Sequence, residues 1–522
     1  MKMTRDYVFV GVLLGLILAS ALLFSGRDVV STGSAGIDPG GEARVSALAP
    51  SQDGEAAQET QANTYQAYRE ELRAQMRMLS DIMDQRKGDL PDMIKKREIR
   101  VLTTLTLGNY FVHKGQEYGY EYSKMEEFRK FLNEGRGRRE LQVEFYYIPL
   151  PYDTLIEALN KGYGDIVAAN LTITPEREAQ VAFSDPYLWG IKEVLVSHMD
   201  AGAIKNLEDL AGRLVHVREN SSYHGSLLRL NQDLTARKLE PVRIELLPGL
   251  VNTGEIIQMV SSGAVELTVA DSHLAGITAE MVENIRIHDD ITFNEDVRFG
   301  WMVRKDNPEL KASLDRFVKT VKKGTLIGNI FFKRYFKDNP WAKEYVQKSD
   351  LEALTRYAPL FQKYGEMYDI DWFLIAAQSF QESRFDPNAR SRAGALGLMQ
   401  LLPSTAKDMG IADISTPENN VHAGVKYLKW IEDRYFSEGD IDEDDRVRFA
   451  LAAYNAGPAN ISRSRSSASQ LGYDSNRWFN HTELGTMQRV GLEPVHYVRN
   501  INKYYLSFRI SMMLLEMKRD IR

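Results

Sequence analysis

Residues 372–400 read WFLIAAQSFQESRFDPNARSRAGALGLMQ. The opening apolar run predicts a helix over 372–383, and a single carboxylate, Glu382, stands at its end. Apolar walls disfavour the charged form of a carboxyl, so its pKa rises and it can carry a proton near neutral pH, as a general acid must. Asp386 precedes Pro387 and reads as a turn residue. Further on, Gly394-Ala395-Leu396-Gly397-Leu398-Met399-Gln400 is a glycine-loosened turn. It would let backbone approach a ligand while Met399 and Gln400 supply an apolar and an amide contact.

Outward from this stretch, helical patterns cover 351–364, 403–409, 421–436, 446–455 and 496–517, and β-rich runs are missing, so 350–522 is expected to be all-α. Ala453-Tyr454-Asn455-Ala456-Gly457 ends a helix with a phenol and an amide, both suited to sugar hydroxyls and acetamido groups. Glu493-Pro494-Val495-His496-Tyr497-Val498 sets another phenol at a helix start. Asp386, Glu432, Asp433 and the acidic cluster 440–445 are alternative carboxylates, the cluster having the composition of a solvated loop. The serine-rich stretch 462–470, with Arg463 and Arg465, also reads as a loop.

In order and spacing, 382–400, LLPSTA (401–406), NNVHAGVKYL (419–428) and AYNAG (453–457) resemble the soluble lytic transglycosylase catalytic domain. The resemblance implies a mainly α, goose-type lysozyme-like fold and cleavage of the peptidoglycan glycan strand. It implies Glu382 as the sole catalytic acid and base, Ser391, Met399 and Gln400 lining the sugar groove, and Tyr454, Asn455 and Tyr497 orienting the saccharide. Pro494 and His496 stand where that family commonly has Thr and Asn. No partner carboxylate occupies a fixed motif position, whereas ordinary glycosidases use two. The implied reaction therefore uses the substrate: Glu382 protonates the leaving oxygen, the N-acetyl carbonyl assists at C1, and Glu382 then takes the C6 hydroxyl proton. A 1,6-anhydromuramoyl end results, with no metal or cofactor.

Upstream, short β-branched runs (99–106, 165–170, 192–199, 213–217) alternate with helical stretches such as 152–160, which predicts an α/β region with a largely parallel sheet over 97–340. Within it, Asn170-Leu171-Thr172-Ile173-Thr174-Pro175-Glu176-Arg177 sets hydroxyls and a guanidinium fork where a carboxylate could bind. This passage resembles the family-3 bacterial extracellular solute-binding proteins, which implies a two-lobed periplasmic-binding-protein-like domain with a closing cleft. By that resemblance Thr172 and Arg177 grip an α-carboxylate and Asp271 an α-amino group, with crossovers near Val196 and Val297. Asn220-Ser221-Ser222 stands where the family often has Gly-Thr-Thr, and Glu121 is followed by Ser123 where a second acid is usual. The plainer alternative has Arg177 salt-bridged to Asp165 or Glu176, and Asp271 capping a helix that begins at Ser272.

The N-terminal 25 residues carry Lys2 and Arg5 before an uncharged run over 7–24, which predicts a membrane anchor with the remainder outside the cytoplasm. A cleaved signal segment competes, since Ala19-Ser20-Ala21 has the A-x-A form. Residues 26–61 read as a flexible linker. Residues 62–96 read as a stalk whose helix, with Tyr65, Tyr68, Leu72, Met76, Leu79 and Met83 on one stripe, ends before Gly88 and Pro91. The expected setting is the cell envelope, periplasm-facing, on the inner membrane or, after cleavage, the outer one.

Across 522 residues, 65 Lys and Arg against 72 Asp and Glu give a net charge of -7, with no basic field of the kind that holds nucleic acid. The absence of cysteine excludes disulfides, thiolate metal sites and Cys nucleophiles. No H-E-x-x-H spacing occurs among the nine His, so no metal site is expected. The partners expected are glycan strands, the membrane, and an amino-acid or cell-wall-peptide ligand that tunes activity. Two other readings compete: an envelope solute-binding sensor whose C-terminal domain only holds glycan, and a lysozyme-type hydrolase.

Overall fold

A computed structural model describes residues 85–113, 116–137, 142–249, 251–339, 350–437 and 440–520. The membrane segment, the linker and the stalk stripe at 65–83 lie outside the described residues. Residues 85–89 are non-helical, and Pro91 then opens a separate helix within the expected stalk, α1 (Leu90–Lys96), capped by Asp89. Proline's missing N–H costs nothing in a first turn, where that donor has no helical partner.

The α/β region continues through β1 (Glu98–Thr103), β2 (Phe111–His113), β3 (Gln116–Tyr118), α2 (Tyr120–Leu132), β4 (Glu144–Pro149), α3 (Leu155–Lys161), β5 (Ile166–Val167), α4 (Pro175–Glu178), β6 (Ala182–Phe183) and β7 (Leu188–His198). After these come β8 (Leu214–Arg218), α5 (Ser222–Ala236), β9 (Arg243–Leu247), α6 (Thr253–Ser261), β10 (Leu267–Asp271), α7 (Ser272–Ala279), β11 (Ile285–Phe299), β12 (Met302–Val303), α8 (Pro308–Val321) and α9 (Leu326–Phe336). Two five-stranded sheets result, ordered β4-β1-β5-β12-β6 and β11-β7-β10-β8-β9. Each is parallel only where strand-helix-strand units build it: β1 with β4 and β5, and β8 with β9 and β10. β12 runs antiparallel to β5 and β6, and β7 antiparallel to β10 and β11.

Strands β7 and β11 connect the lobes. Leu188 pairs with Phe299 at one end of this ribbon, and Ile285 with His198 at the other. The crossing at Val297, paired with Ile191, lies as expected. The other does not: Val196 lies inside the second sheet, between Thr268 and Ile287, and the chain crosses nearer Leu188–Ile191. The position that the resemblance carried over to Val196 is second-lobe core.

In the first lobe, Ile99, Val101, Phe128, Phe145, Trp301 and Phe317 form a closed apolar core. Asp165 at the edge of this core accepts from the Arg100 backbone N–H (2.9 Å) and from its Nε (3.1 Å) and Nη2 (2.9 Å). It therefore staples β5 to β1 and is not a partner of Arg177.

The C-terminal region is helical: α10 (Asp350–Tyr368), α11 (Trp372–Ser383), α12 (Pro403–Asp408), α13 (Pro417–Tyr435), α14 (Glu443–Ala456), α15 (Pro458–Gln470), α16 (Glu483–Arg489) and α17 (Glu493–Asp520), with a π-helical turn over Trp478–Thr482. Two loop readings are corrected. The serine-rich stretch lies in α15, which Pro458 opens and which buries Ile461, Ser464 and Ala468, so packing overrides low propensity. The acidic cluster caps and begins α14: Asp442 accepts from Asp444 N–H, and acidic side chains in a first turn complement the helix dipole. Asp445 is buried against Arg448.

Helix α17 also packs on β4 of the first lobe. Lys503 Nζ lies 3.0 Å from Glu144 Oε2 in a largely buried pair. Burial alone would raise the Glu144 pKa, but the charges of Lys503, Arg499 and Arg129 outweigh it and hold that carboxyl at about 2. Breaking a buried pair strands the remaining charge. Asp165→Ala, which takes the carboxylate from the buried Arg100 and leaves that guanidinium with backbone acceptors such as the Arg86 carbonyl, is expected to cost roughly 3 kcal/mol, read from urea unfolding of the full chain.

Candidate active site

Helix α11 buries Phe373 through Phe380 and ends at Arg384, whose φ of 55° is followed by 61° at Phe385. These two left-handed residues turn the chain away and leave Glu382 half-buried on the last turn. Tyr497, near the start of α17, donates its hydroxyl to Glu382 Oε1 at 2.6 Å. Behind it, the fully buried Gln378 donates through Nε2 to the Tyr497 hydroxyl at 3.3 Å. Burial pushes the Glu382 carboxyl up to about 7, against the bond from Tyr497, which favours the anion. Tyr454 lies in the same field: burial and the charge of Glu382 keep its phenol protonated far above the usual range.

The turn over 394–400 is a tight hairpin, with Leu396 bridged to Arg390 and Leu401. Asn420 on α13 holds it, accepting from Met399 N–H and donating to the Leu396 carbonyl, both at 2.8 Å. Ser379 and Ser383 on α11 donate to the Leu398 carbonyl from the other side, at 3.2 and 2.9 Å. Two glycines permit this approach: a Cβ on Gly397 would come within 2.6 Å of the Asn420 amide, and one on Gly424 within 2.6 Å of Met399 Cβ.

Several expected groove residues sit differently. The Met399 side chain is fully buried against Gly424, so it does not line an open groove; its carbonyl accepts from the Tyr454 hydroxyl at 2.9 Å. Gln400 turns its amide inward, to the carbonyls of Ala389 (3.1 Å) and Gly397 (3.0 Å). Ser391 is exposed and its hydroxyl accepts from Ala395 N–H. Asn455 is exposed at the end of α14. The other acids are engaged elsewhere: Asp386 with Asn388 N–H, Glu432 and Asp433 with Lys429, and Asp445 with Arg448 and Trp478 N–H. Gln378 went unnoticed in the sequence, although its i−4 spacing from Glu382 puts both on one helix face.

In the two-lobed region, Arg177 is buried and spends two nitrogens on backbone. Nη1 donates to the Thr172 carbonyl (2.8 Å) and Nη2 to the Asn220 carbonyl (3.0 Å). The Thr172 and Ser222 hydroxyls meet at 3.4 Å, and the Arg218 guanidinium lies 4.0 Å over the Tyr152 ring. Asp271 occupies the cap position of α7, but its Oδ2 accepts from Tyr223 (2.9 Å) and its buried Oδ1 has no partner. Burial, then the charge of Glu193, raise its carboxyl to about 8. Arg218, Tyr223 and Tyr152 had no sequence motif to announce them. Among the described residues, no group of three or more His, Asp or Glu side chains could hold a metal.

The transglycosylase SLT domain family matches residues 359–476, and the bacterial extracellular solute-binding proteins of family 3 match 106–338. A membrane-bound lytic murein transglycosylase F of Desulfosudis oleivorans is 32% identical, covering 78% of this chain and 89% of that protein. A protein of the same name from Pseudomonas putida GB-1 is 28% identical over 78% of this chain and 84% of its own length. An ancestral arginine-binding protein bound to arginine aligns over 46% of this chain and 98% of its own, at 25% identity and a TM-score of 0.38.

Two outcomes are expected at Glu382. In a carboxyl-selective NMR titration it should titrate near pH 7, and Tyr497→Phe should move that midpoint higher, since the lost bond favours the anion. A folded pKa above the unfolded one contributes stability in full below the unfolded value and loses it as pH rises through about 7. Glu382→Gln should therefore unfold at a higher temperature than the parent above pH 7, with the gap closing in acid.

Proposed function

Because the chain belongs to the membrane-bound lytic murein transglycosylase F family, we propose that it opens the β-1,4 bond between muramoyl and glucosaminyl sugars without water, with Glu382 as the one acid and base. It is a peptidoglycan lytic transglycosylase, an enzyme of the envelope associated with membrane. The observation that carries the mechanism is a single carboxyl with a pKa of about 7, reached by Tyr497 at 2.6 Å.

Such a carboxyl is part protonated at neutral pH and can deliver its proton to the glycosidic oxygen as the bond breaks. The N-acetyl carbonyl of the muramoyl sugar covers C1 while the leaving sugar departs. Glu382, now an anion stabilised by the Tyr497 hydroxyl, takes the proton from the C6 hydroxyl, whose oxygen closes on C1. The 1,6-anhydro ring forms and Glu382 regains its proton, so the cycle closes with no second carboxylate. Tyr454, held on the Met399 carbonyl, supports the hairpin beside the sugar. Asn455 and Ser391 are exposed polar groups free to meet acetamido and hydroxyl groups.

The two-lobed region supplies the second half of the reading. Thr172, Arg177 and Asp271 take an amino acid or cell-wall peptide, with the unpartnered Asp271 Oδ1 receiving its ammonium group. Closure on that ligand reaches the catalytic acid along α17, which carries Tyr497 near one end and Lys503, paired with Glu144 of β4, two turns on. Residues 7–24 anchor the chain, facing it to the periplasm.

Digestion of purified peptidoglycan by the full-length chain should give muropeptides one water lighter than hydrolytic ones, and Glu382→Gln none, as read by mass spectrometry. Products with ordinary reducing ends would make it a hydrolase. The rate should fall as pH rises through about 7, as Glu382 loses its proton. Cell-wall peptides or free amino acids that change this rate should lose their effect in the Glu144→Gln, Lys503→Met double variant, measured as the rate ratio with and without ligand.

A further inference from the structure

We propose that Trp430 and Tyr435, on the outer face of α13, form an aromatic platform for a glycan sugar remote from the cleaved bond, a reading that rests on the chain being a glycan lyase. A row of rings leads there from the catalytic carboxyl. Tyr454, beside Glu382, has its ring 5.3 Å from that of Tyr427. Tyr427 lies 6.0 Å from Trp430, the two planes within 17° of parallel, and Trp430 meets Tyr435 edge-on at 5.7 Å. The outer two rings are each 38% exposed; Trp189, in the two-lobed region, is exposed to the same degree, but it has no such row of rings leading from Glu382.

Helix α13 does not need Trp430 for its core, which Val421, Val425, Leu428 and Ile431 already fill. What sets these two partly exposed rings apart from the other exposed apolar side chains is their place at the end of a ring row that begins beside Glu382, so a strand lying at that carboxyl could extend onto them. The occupant is the glycan strand itself. A pyranose presents a C–H face that lies flat on an indole, with its hydroxyl and acetamido edges left to water, and aromatic rings supply such area at little entropic cost.

The test compares full-length parent, Trp430→Ala and Trp430→Phe on peptide-free glycan strands and on a tetrasaccharide. Trp430→Ala should reduce the preference for long strands, as the ratio of kcat/KM values, by about tenfold through KM, and Trp430→Phe should restore most of it. An unchanged ratio overturns the platform, as does a loss that Phe does not repair. Calorimetry in a Glu382→Gln background with an N-acetylglucosamine hexamer separates this from the lyase reading. Hexamer affinity that falls with Trp430→Ala supports the platform even if the parent cleaves nothing. Cleavage by the parent with hexamer affinity indifferent to Trp430 sinks the platform and leaves the lyase standing.

Discussion

A phenol and a carboxyl 2.6 Å apart, on residues separated by 115 positions, set the terms for the whole C-terminal half of this chain. Glu382 has to be dry enough to hold a proton at neutral pH, yet its anion must be tolerated when that proton leaves. Burial supplies the first condition and Tyr497 the second. Meeting both fixes where α11 may end and where α17 must begin. The two left-handed residues after Ser383 serve the same end, turning the chain so that the carboxyl is not covered by its own continuation.

The hairpin over 394–400 is the third side of this site, and it has almost no side-chain core of its own. Its backbone groups are satisfied by Asn420, Ser379 and Ser383, so its position is dictated by α11 and α13 together. A buried polar contact of this kind is costly to leave unmade, which makes the hairpin rigid although it is rich in glycine. Met399 and Gln400, which looked like groove residues, are spent on that rigidity.

Helix α17 is shared property. Near one end it delivers Tyr497 to the Glu382 carboxyl; further along, Lys503 meets Glu144 on a strand of the first lobe. Because Glu144 stays ionised by virtue of Lys503, Arg499 and Arg129, the junction between lobe and enzyme is electrostatic and buried. In the lobes themselves, Arg177 bonds to backbone while Arg218 lies over the Tyr152 ring, so this region carries more guanidinium chemistry than its motif suggested.

The local features were legible because each rests on neighbours in the chain. Periodicity gave the helix 372–383 its limits, and an apolar helix ending in one carboxylate already implied a raised pKa. Strand-helix alternation announced the two-lobed region. Local reading went astray where distant packing overrules composition, at the serine-rich helix α15 and the acidic start of α14; the crossing that the resemblance put near Val196 lies instead near Leu188. Gln378, Asn420 and Lys503 act through partners tens or hundreds of residues away, and no spacing rule reaches that far. The sequence by itself determined which side chain could carry the proton and which segments would be helix or strand, because propensity and periodicity are local. Only the tertiary structure decided what that side chain touches and which expected groove residues turn inward, because hydrogen-bond partners and burial are set by where the whole chain packs.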